Sequence, residues 1–178
     1  MAKYTFKYGE GTIDFDYPEE DVMKVLEPAK LEKTTKTEEE IIRDAIENPI
    51  GSPKLEEIIK PGQSVCIMVP DVTRLWARPS IIVHILVEKL EKIGVKDEDI
   101  LFISGVGTHR LQEEEDFEKL IGKDFCERFR HRNHYCDSDD FVNLGTTSRG
   151  NVAEVNKFAM ECDHRILVGG IVFHFIAG

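Results

Sequence analysis

Two histidines, His109 and His174, each follow an apolar run and a pair of glycines, in "FISGVGTHR" (102–110) and "ILVGGIVFHFIAG" (166–178). Imidazole has a reference pKa of about 6.5 and can take or give a proton near neutrality. Two such groups on opposite sides of one carbon suit a reaction that treats mirror-image substrates alike. A third apolar run ends in "VPDVTRLWARP" (69–79) and delivers Asp71, Thr73 and Arg74. Arg74 can pair bidentately with a phosphate or carboxylate. Asp71 can accept hydrogen bonds from ribose hydroxyls or orient Arg74. A helix opening near Pro79 would add partial positive charge for an anion. The same residues also suit an ordinary turn, with Asp71 and Thr73 as caps and with Arg74 and Arg78 solvated. Taken alone, His109 also reads as a structural turn histidine. His174, among apolar neighbours, also reads as a packed core residue.

Those three segments need a scaffold that brings distant positions together. "SVCIMVP" reads as a strand buried on both faces, and a helix over 79–93 follows, with Ile82, Ile85, Leu86, Leu90 and Ile93 as its buried stripe. His84 falls on the opposite side and reads as a solvated surface histidine. "DILFIS" is the next strand, "EEEDFEKLIG" the next helix, "VNKFAMECD" a short helix and "HRILVGGIV" the last strand. Alternating strands and helices predict α/β architecture: an open, mostly parallel Rossmann-like sheet flanked by helices. In such a sheet ligands sit outside the carboxyl ends of the strands, where all three segments lie. "KYTFKYGEGTIDFDYP" predicts an N-terminal β-hairpin over 1–18, with Ile13, Phe15 and Tyr17 on one face. Thr37 and Glu40 form a capping box ahead of a short helix. Residues 139–155 read as a second hairpin, inserted into an otherwise single α/β domain spanning 1–178.

Composition excludes several function classes. A length of 178 residues is enough for a real core, and 41% hydrophobic with 32% charged residues is ordinary for a globular domain. The net charge of −11 disfavours nonspecific nucleic-acid binding and anionic membrane surfaces. No apolar stretch is long enough for a transmembrane helix, and the first residues lack a signal-peptide core. A cytoplasmic location with reduced thiols is expected. The GxG at Gly105 and Gly107 does not extend to GxGxxG, because Arg110 stands at the last position; a dinucleotide fingerprint is therefore absent. Cys126, His131, His134 and Cys136 are all zinc-binding types, but C-x4-H-x2-H-x-C is not a usual finger spacing. The other reading of that segment is a solvated strand-and-loop edge.

Four motifs in order, "PDVTR", "GVGTHR", "NLGTTSRGNVAEVN" and "DHRILVGGIVFHFIAG", resemble the N-terminal domain of lactate racemase and its nickel-pincer-nucleotide-dependent relatives. The resemblance covers essentially the whole chain. It implies a racemase or epimerase of small anionic 2-hydroxy acids, working by proton-coupled hydride transfer to a nickel-pincer nucleotide. Carried over by motif, His109 and His174 are the two bases, one for each enantiomer. Asp71 and Arg74 hold the nucleotide or phosphate part of the cofactor with help from Thr73, and Ser148 and Arg149 are lesser candidates lining the same cleft. Two departures stand out. Leu75 replaces the proline that commonly follows PDxTR, and Phe173 replaces one that commonly precedes the histidine. The family's cofactor-tethering lysine, its nickel-ligating histidine and a C-terminal domain lie beyond the end of this sequence. The resemblance therefore implies an isolated chain without bound cofactor and with little or no racemase activity. A non-catalytic nucleotide- or anion-binding α/β module is the alternative, and a zinc site at Cys126, His131, His134 and Cys136 a lesser one.

Overall fold

The computed structural model describes residues 1–26 and 34–172. The chain divides into two compact units, Met1–Thr35 and Lys36–Gly178, so the hairpin expected to belong to one domain forms a unit of its own. In the first unit, β1 (Ala2–Tyr8) pairs antiparallel with β2 (Gly11–Tyr17) through a turn in which Gly9 takes a φ of 57°. That left-handed conformation is why glycine stands there. The register sets Tyr4 opposite Phe15 and Phe6 opposite Ile13, collecting the apolar side chains on one face as the alternation predicts. Phe6 and Phe15 meet edge to face with ring centroids 5.7 Å apart.

The second unit begins with α1 (Glu38–Glu47), whose capping box is formed as expected: Glu40 N donates to Thr37 Oγ1 at 3.2 Å, and Thr37 N donates to Glu40 Oε2 at 2.7 Å. After α2 (Leu55–Ile58) come β3 (Val65–Pro70), α3 (Pro79–Ile93), β4 (Ile100–Gly107), α4 (Glu114–Ile121), α5 (Lys123–Arg128) and β5 (Arg130–Tyr135). An antiparallel pair, β6 (Phe141–Thr146) and β7 (Val152–Asn156), occupies the stretch read as an inserted hairpin. Then α6 (Lys157–Glu161) leads into β8 (His164–Leu167). The central sheet has the order β5-β4-β3-β8 with every pairing parallel.

The strand order decides where a ligand can sit. From β3 the chain moves outward to β4 and then β5; it then returns to lay β8 on the other side of β3. The direction of winding reverses between β3 and β8, and in open α/β sheets ligands sit outside the carboxyl ends of the strands at such a reversal.

The continuous apolar run of β3 is explained by burial on both faces. Val65, Ile67 and Val69 join a large cluster with Val83, Leu86, Val87 and Leu90 of α3, whereas Cys66 joins a smaller one with Leu101, Ile103 and Ala159. Phe102 lies fully buried in the larger cluster, with Phe125 and Phe129 ring centroids at 6.0 and 5.6 Å. The α3 stripe is turned from the one expected. Val83 and Val87 are buried, while Ile82 is only half-buried and borders a hollow shared with Ile41 and Ile42 of α1. With α1 and the sheet both covering α3, its apolar face is wider than a single stripe. His84 is not simply solvated: its ring stacks on Phe125 at 3.9 Å, and Nδ1 lies 2.7 Å from the Ser80 carbonyl.

Burial of Cys66 pushes its thiol up to about 12. All four cysteines are free, and Cys136 is exposed. Replacing Phe102 by alanine leaves a cavity under three elements, and urea unfolding followed by circular dichroism should show a loss of about 3–5 kcal/mol. A loss below about 1 kcal/mol would mean that the ring does not organise this core.

Candidate functional site

Asp71 is the N-cap of a short 3-10 turn, Val72–Ala77, that follows β3. One carboxylate oxygen, Oδ1, accepts from the Thr73 amide at 2.8 Å and from the Thr73 hydroxyl. The other, Oδ2, meets His109 Nδ1. Both readings of the motif are thus present at once: Asp71 caps its turn and also reaches across to the next strand tip. Its side chain is only 7% exposed, while that of His109 is 49% exposed. Burial raises the Asp71 carboxyl, but the Thr73 hydroxyl, the His109 ring and the Thr73 amide outweigh it and hold the group below the usual carboxylate range. Hydrogen bonding at Nδ1 fixes the His109 ring and leaves Nε2 without a protein partner among the described residues.

The backbone delivers His109 by a route that glycine makes possible. Gly105 is still within β4, the register slips between Gly105 and Gly107, and Gly107 takes a φ of 57°. The His109 amide then closes the turn on the Val106 carbonyl at 2.9 Å. A buried glutamine secures the loop that follows. Gln112 Oε1 accepts from the Val72 amide at 3.1 Å, and Gln112 Nε2 donates to the Arg110 carbonyl at 3.2 Å. Asn133 of β5 accepts from the Gln112 amide at 2.8 Å and donates to its carbonyl at 3.0 Å. The tips of β3, β4 and β5 are thereby laced together by side chains that motif reading passed over. "LQEEE" carried the signal only as an amide among charges.

Arg110 of the same motif is structural. It forks onto Asp116 in the first turn of α4, at 2.5 and 3.1 Å, and Asp116 also accepts from the Glu113 amide at 3.0 Å. The Arg110 guanidinium first, and the Glu113 amide next, bring the Asp116 carboxyl down to about 2.

Arg74 donates to Thr73 Oγ1 at 2.9 Å and has no carboxylate partner among the described residues. Its guanidinium is therefore free to take an anion, beside the start of α3 at Pro79. Arg78, between them, holds a φ of 54°, the one non-glycine positive φ among the described residues. The third tip reaches the first through a tryptophan that the sequence reading did not single out. A Cβ built on Gly170 would lie 2.5 Å from the Trp76 ring, so the backbone at Gly170 lies close against that indole. His174 and Phe173 lie outside the described residues, so the expected pairing of His109 with His174 is not described. Ser148 and Arg149 sit in the exposed β6–β7 turn, where Gly150 N closes on the Thr147 carbonyl at 2.9 Å; no hydrogen bond or ion pair links them to Asp71, Thr73, Arg74 or His109.

The donor set at the tips suits the nucleotide part of a cofactor: one guanidinium without a carboxylate partner and a helix start. Asp71 itself is buried with both oxygens engaged, a geometry that fits orienting His109 better than holding a ribose. The four zinc-type residues do not converge. His131 and His134 are three apart on β5 and so project from opposite faces of the strand. His134 Nδ1 accepts from Asn156 Nδ2 at 3.1 Å, and Cys136 lies exposed beyond the strand. His131 instead gathers with Glu114 and Cys126.

Residues 8–178 match the family model described as the lactate racemase N-terminal domain. A lactate racemase of Thermoanaerobacterium thermosaccharolyticum and one of Lactiplantibacillus plantarum are each 30% identical to the chain, over 100% of its length and 42% of their own. The chain thus spans less than half the length of these curated relatives. The structure of the lactate racemase apoprotein from Thermoanaerobacterium thermosaccharolyticum superposes with a TM-score of 0.77 at 27% identity, covering 93% of this chain and 38% of that one. Among the described residues no helix is long and apolar enough to cross a membrane.

The Arg110–Asp116 fork generates a pH-dependent stability. A carboxyl lowered from 3.8 to about 2 stabilises the fold fully above pH 3.8 and loses that contribution as the pH falls towards 2. Asp116→Asn should lower stability at neutral pH and lose less than the unaltered chain over that acid interval, measured by denaturant unfolding at stepped pH. Parallel acid limbs would show that the fork contributes nothing.

Proposed function

Because the chain belongs to the lactate racemase N-terminal domain family, we propose that it is the catalytic and cofactor-binding domain of an enzyme that interconverts the stereoisomers of a small 2-hydroxy acid. The observation that carries this reading is the Asp71–His109 pair spanning two adjacent strand tips.

When bound, a nickel-pincer nucleotide supplies a hydride acceptor for the substrate carbon. The chain's own residues supply the proton chemistry and the binding. His109 Nε2 takes the hydroxyl proton of the substrate and later returns one. Asp71, buried and ionised, holds the ring by Nδ1 and stabilises the imidazolium that forms when Nε2 is protonated. Asp71 is thus a positioning residue. Arg74 receives a phosphate of the nucleotide, and Thr73 keeps the guanidinium aimed. Ser148 and Arg149 add to that cleft, and His174 serves the opposite enantiomer. None of the described residues is assigned to the nickel ion itself. The substrate enters as an anion at the crevice between the ends of β3 and β8, with Trp76 beside it. A small 2-hydroxy acid such as lactate is the class of substrate that the family implies.

The test is enantiomer interconversion by the cofactor-loaded protein at the relatives' full length. His109→Ala should lower kcat by about a hundredfold or more. Asp71→Asn should lower kcat and displace the pH–rate profile, because it removes the charge that supports the imidazolium. Arg74→Ala should chiefly raise the cofactor concentration needed for half-maximal loading. Unchanged turnover in His109→Ala would remove that residue from the mechanism and leave a nucleotide-binding module.

A further inference from the structure

The N-terminal end of α4, the body of α5 and the strand β5 each contribute one side chain to a cluster away from the strand tips. Glu114, Cys126 and His131 place a carboxylate oxygen, a thiol sulfur and an imidazole nitrogen all within 4.8 Å of one another. A tetrahedral zinc ion with bonds of about 2.0–2.3 Å holds its ligand atoms about 3.3–3.8 Å apart. The three donors therefore need only side-chain adjustment to close on an ion.

The histidine is set up for this. His131 Nδ1 lies 3.1 Å from the Phe129 carbonyl, which can only accept, so Nδ1 carries the hydrogen. Nε2, the remaining ring nitrogen, faces Glu114 Oε2 at 3.0 Å. A ring nitrogen fixed by a backbone carbonyl on its far side is the usual second shell of a zinc-bound imidazole. The Phe117 ring at 4.6 Å and a side chain only 16% exposed keep the imidazole from turning away. A lone pair on Nε2 and a carboxylate oxygen at that separation repel unless a positive group lies between them. Among the described residues Glu114 has no lysine or arginine partner, and Glu118 and Asp124 add negative charge around Cys126.

We propose that Glu114, Cys126 and His131 form a zinc site, with a fourth position left to water. On binding, the Cys126 thiol releases its proton to solvent as the Zn–S bond forms, and the dication with one thiolate, one carboxylate and a neutral imidazole makes a site of zero net charge. The ion fastens α4, α5 and β5 to one another through a residue from each. The site is separate from the strand-tip chemistry and stands whether or not the racemase reading holds.

The test uses the untagged chain, stripped with chelator under reducing conditions and titrated with zinc and, separately, with cobalt(II). One equivalent should bind with micromolar affinity or better. The cobalt form should show a thiolate-to-metal charge-transfer band and tetrahedral d–d bands. Cys126→Ser and His131→Gln should each weaken zinc binding by more than the ~10–100-fold typical of losing a supporting residue. His134→Gln and Cys136→Ser should leave it unchanged. If a variant fails to fold, the cobalt spectrum of the unaltered chain decides. Absence of stoichiometric metal uptake, a cobalt spectrum without thiolate character, or uptake that survives both Cys126→Ser and His131→Gln would overturn the site and leave His131 as a hydrogen-bonded partner of Glu114.

Discussion

The carboxylate of Asp71 is withdrawn from water and yet kept ionised, and the strand tips are organised around that condition. A buried carboxylate costs several kcal/mol unless its lone pairs are satisfied. Here Thr73 satisfies one oxygen from within the same turn and His109 satisfies the other from the neighbouring strand. The first of these contacts shapes the turn that carries Arg74. The second fixes which nitrogen of His109 faces outward. One ionised group thus sets the conformation of the turn after β3 and the orientation of the His109 ring.

That arrangement is possible because β3 lies in the interior of the sheet, between β4 and β8. A central strand is covered on both faces, so the residue just past its end is shielded without a dedicated lid. The Gln112 amide completes the shielding by taking the Val72 amide, and Asn133 carries the restraint on to β5. These are neutral hydrogen bonds among buried groups, whose loss leaves an unsatisfied partner inside the protein. Their geometric effect is to hold the loop after β4, and with it His109, against the turn after β3.

Much of this was legible in the residues. The alternation in "TFKYGEGTIDFDY" set the hairpin and its apolar face, and the capping box at Thr37 and Glu40 appeared where the pair predicts it. The unbroken apolar run of β3 correctly implied a two-sided parallel sheet. What escaped was of two kinds. Short or polar elements carry little periodicity: α5 has six residues, and β5, "RHRNHY", is an edge strand whose charged sequence resembles a loop. Partners distant in sequence leave no local mark, and Gln112 with Asn133, Trp76 with Gly170, and Glu114 with His131 are all of that type. The zinc-type residues were found by kind but grouped by proximity along the chain, and strand alternation then separated His131 from His134.

Trp76 is the chain's one tryptophan, and it stands in the turn after β3 with the Gly170 backbone against its ring. Indole emission is sensitive to the polarity around it and to nearby aromatic or charged groups. The protein therefore carries a native optical reporter in the turn that follows β3, with no second indole in the chain to dilute the signal. A ligand that settled against that indole would register in the intrinsic fluorescence, so binding at the β3 tip can be followed without a label and without turnover.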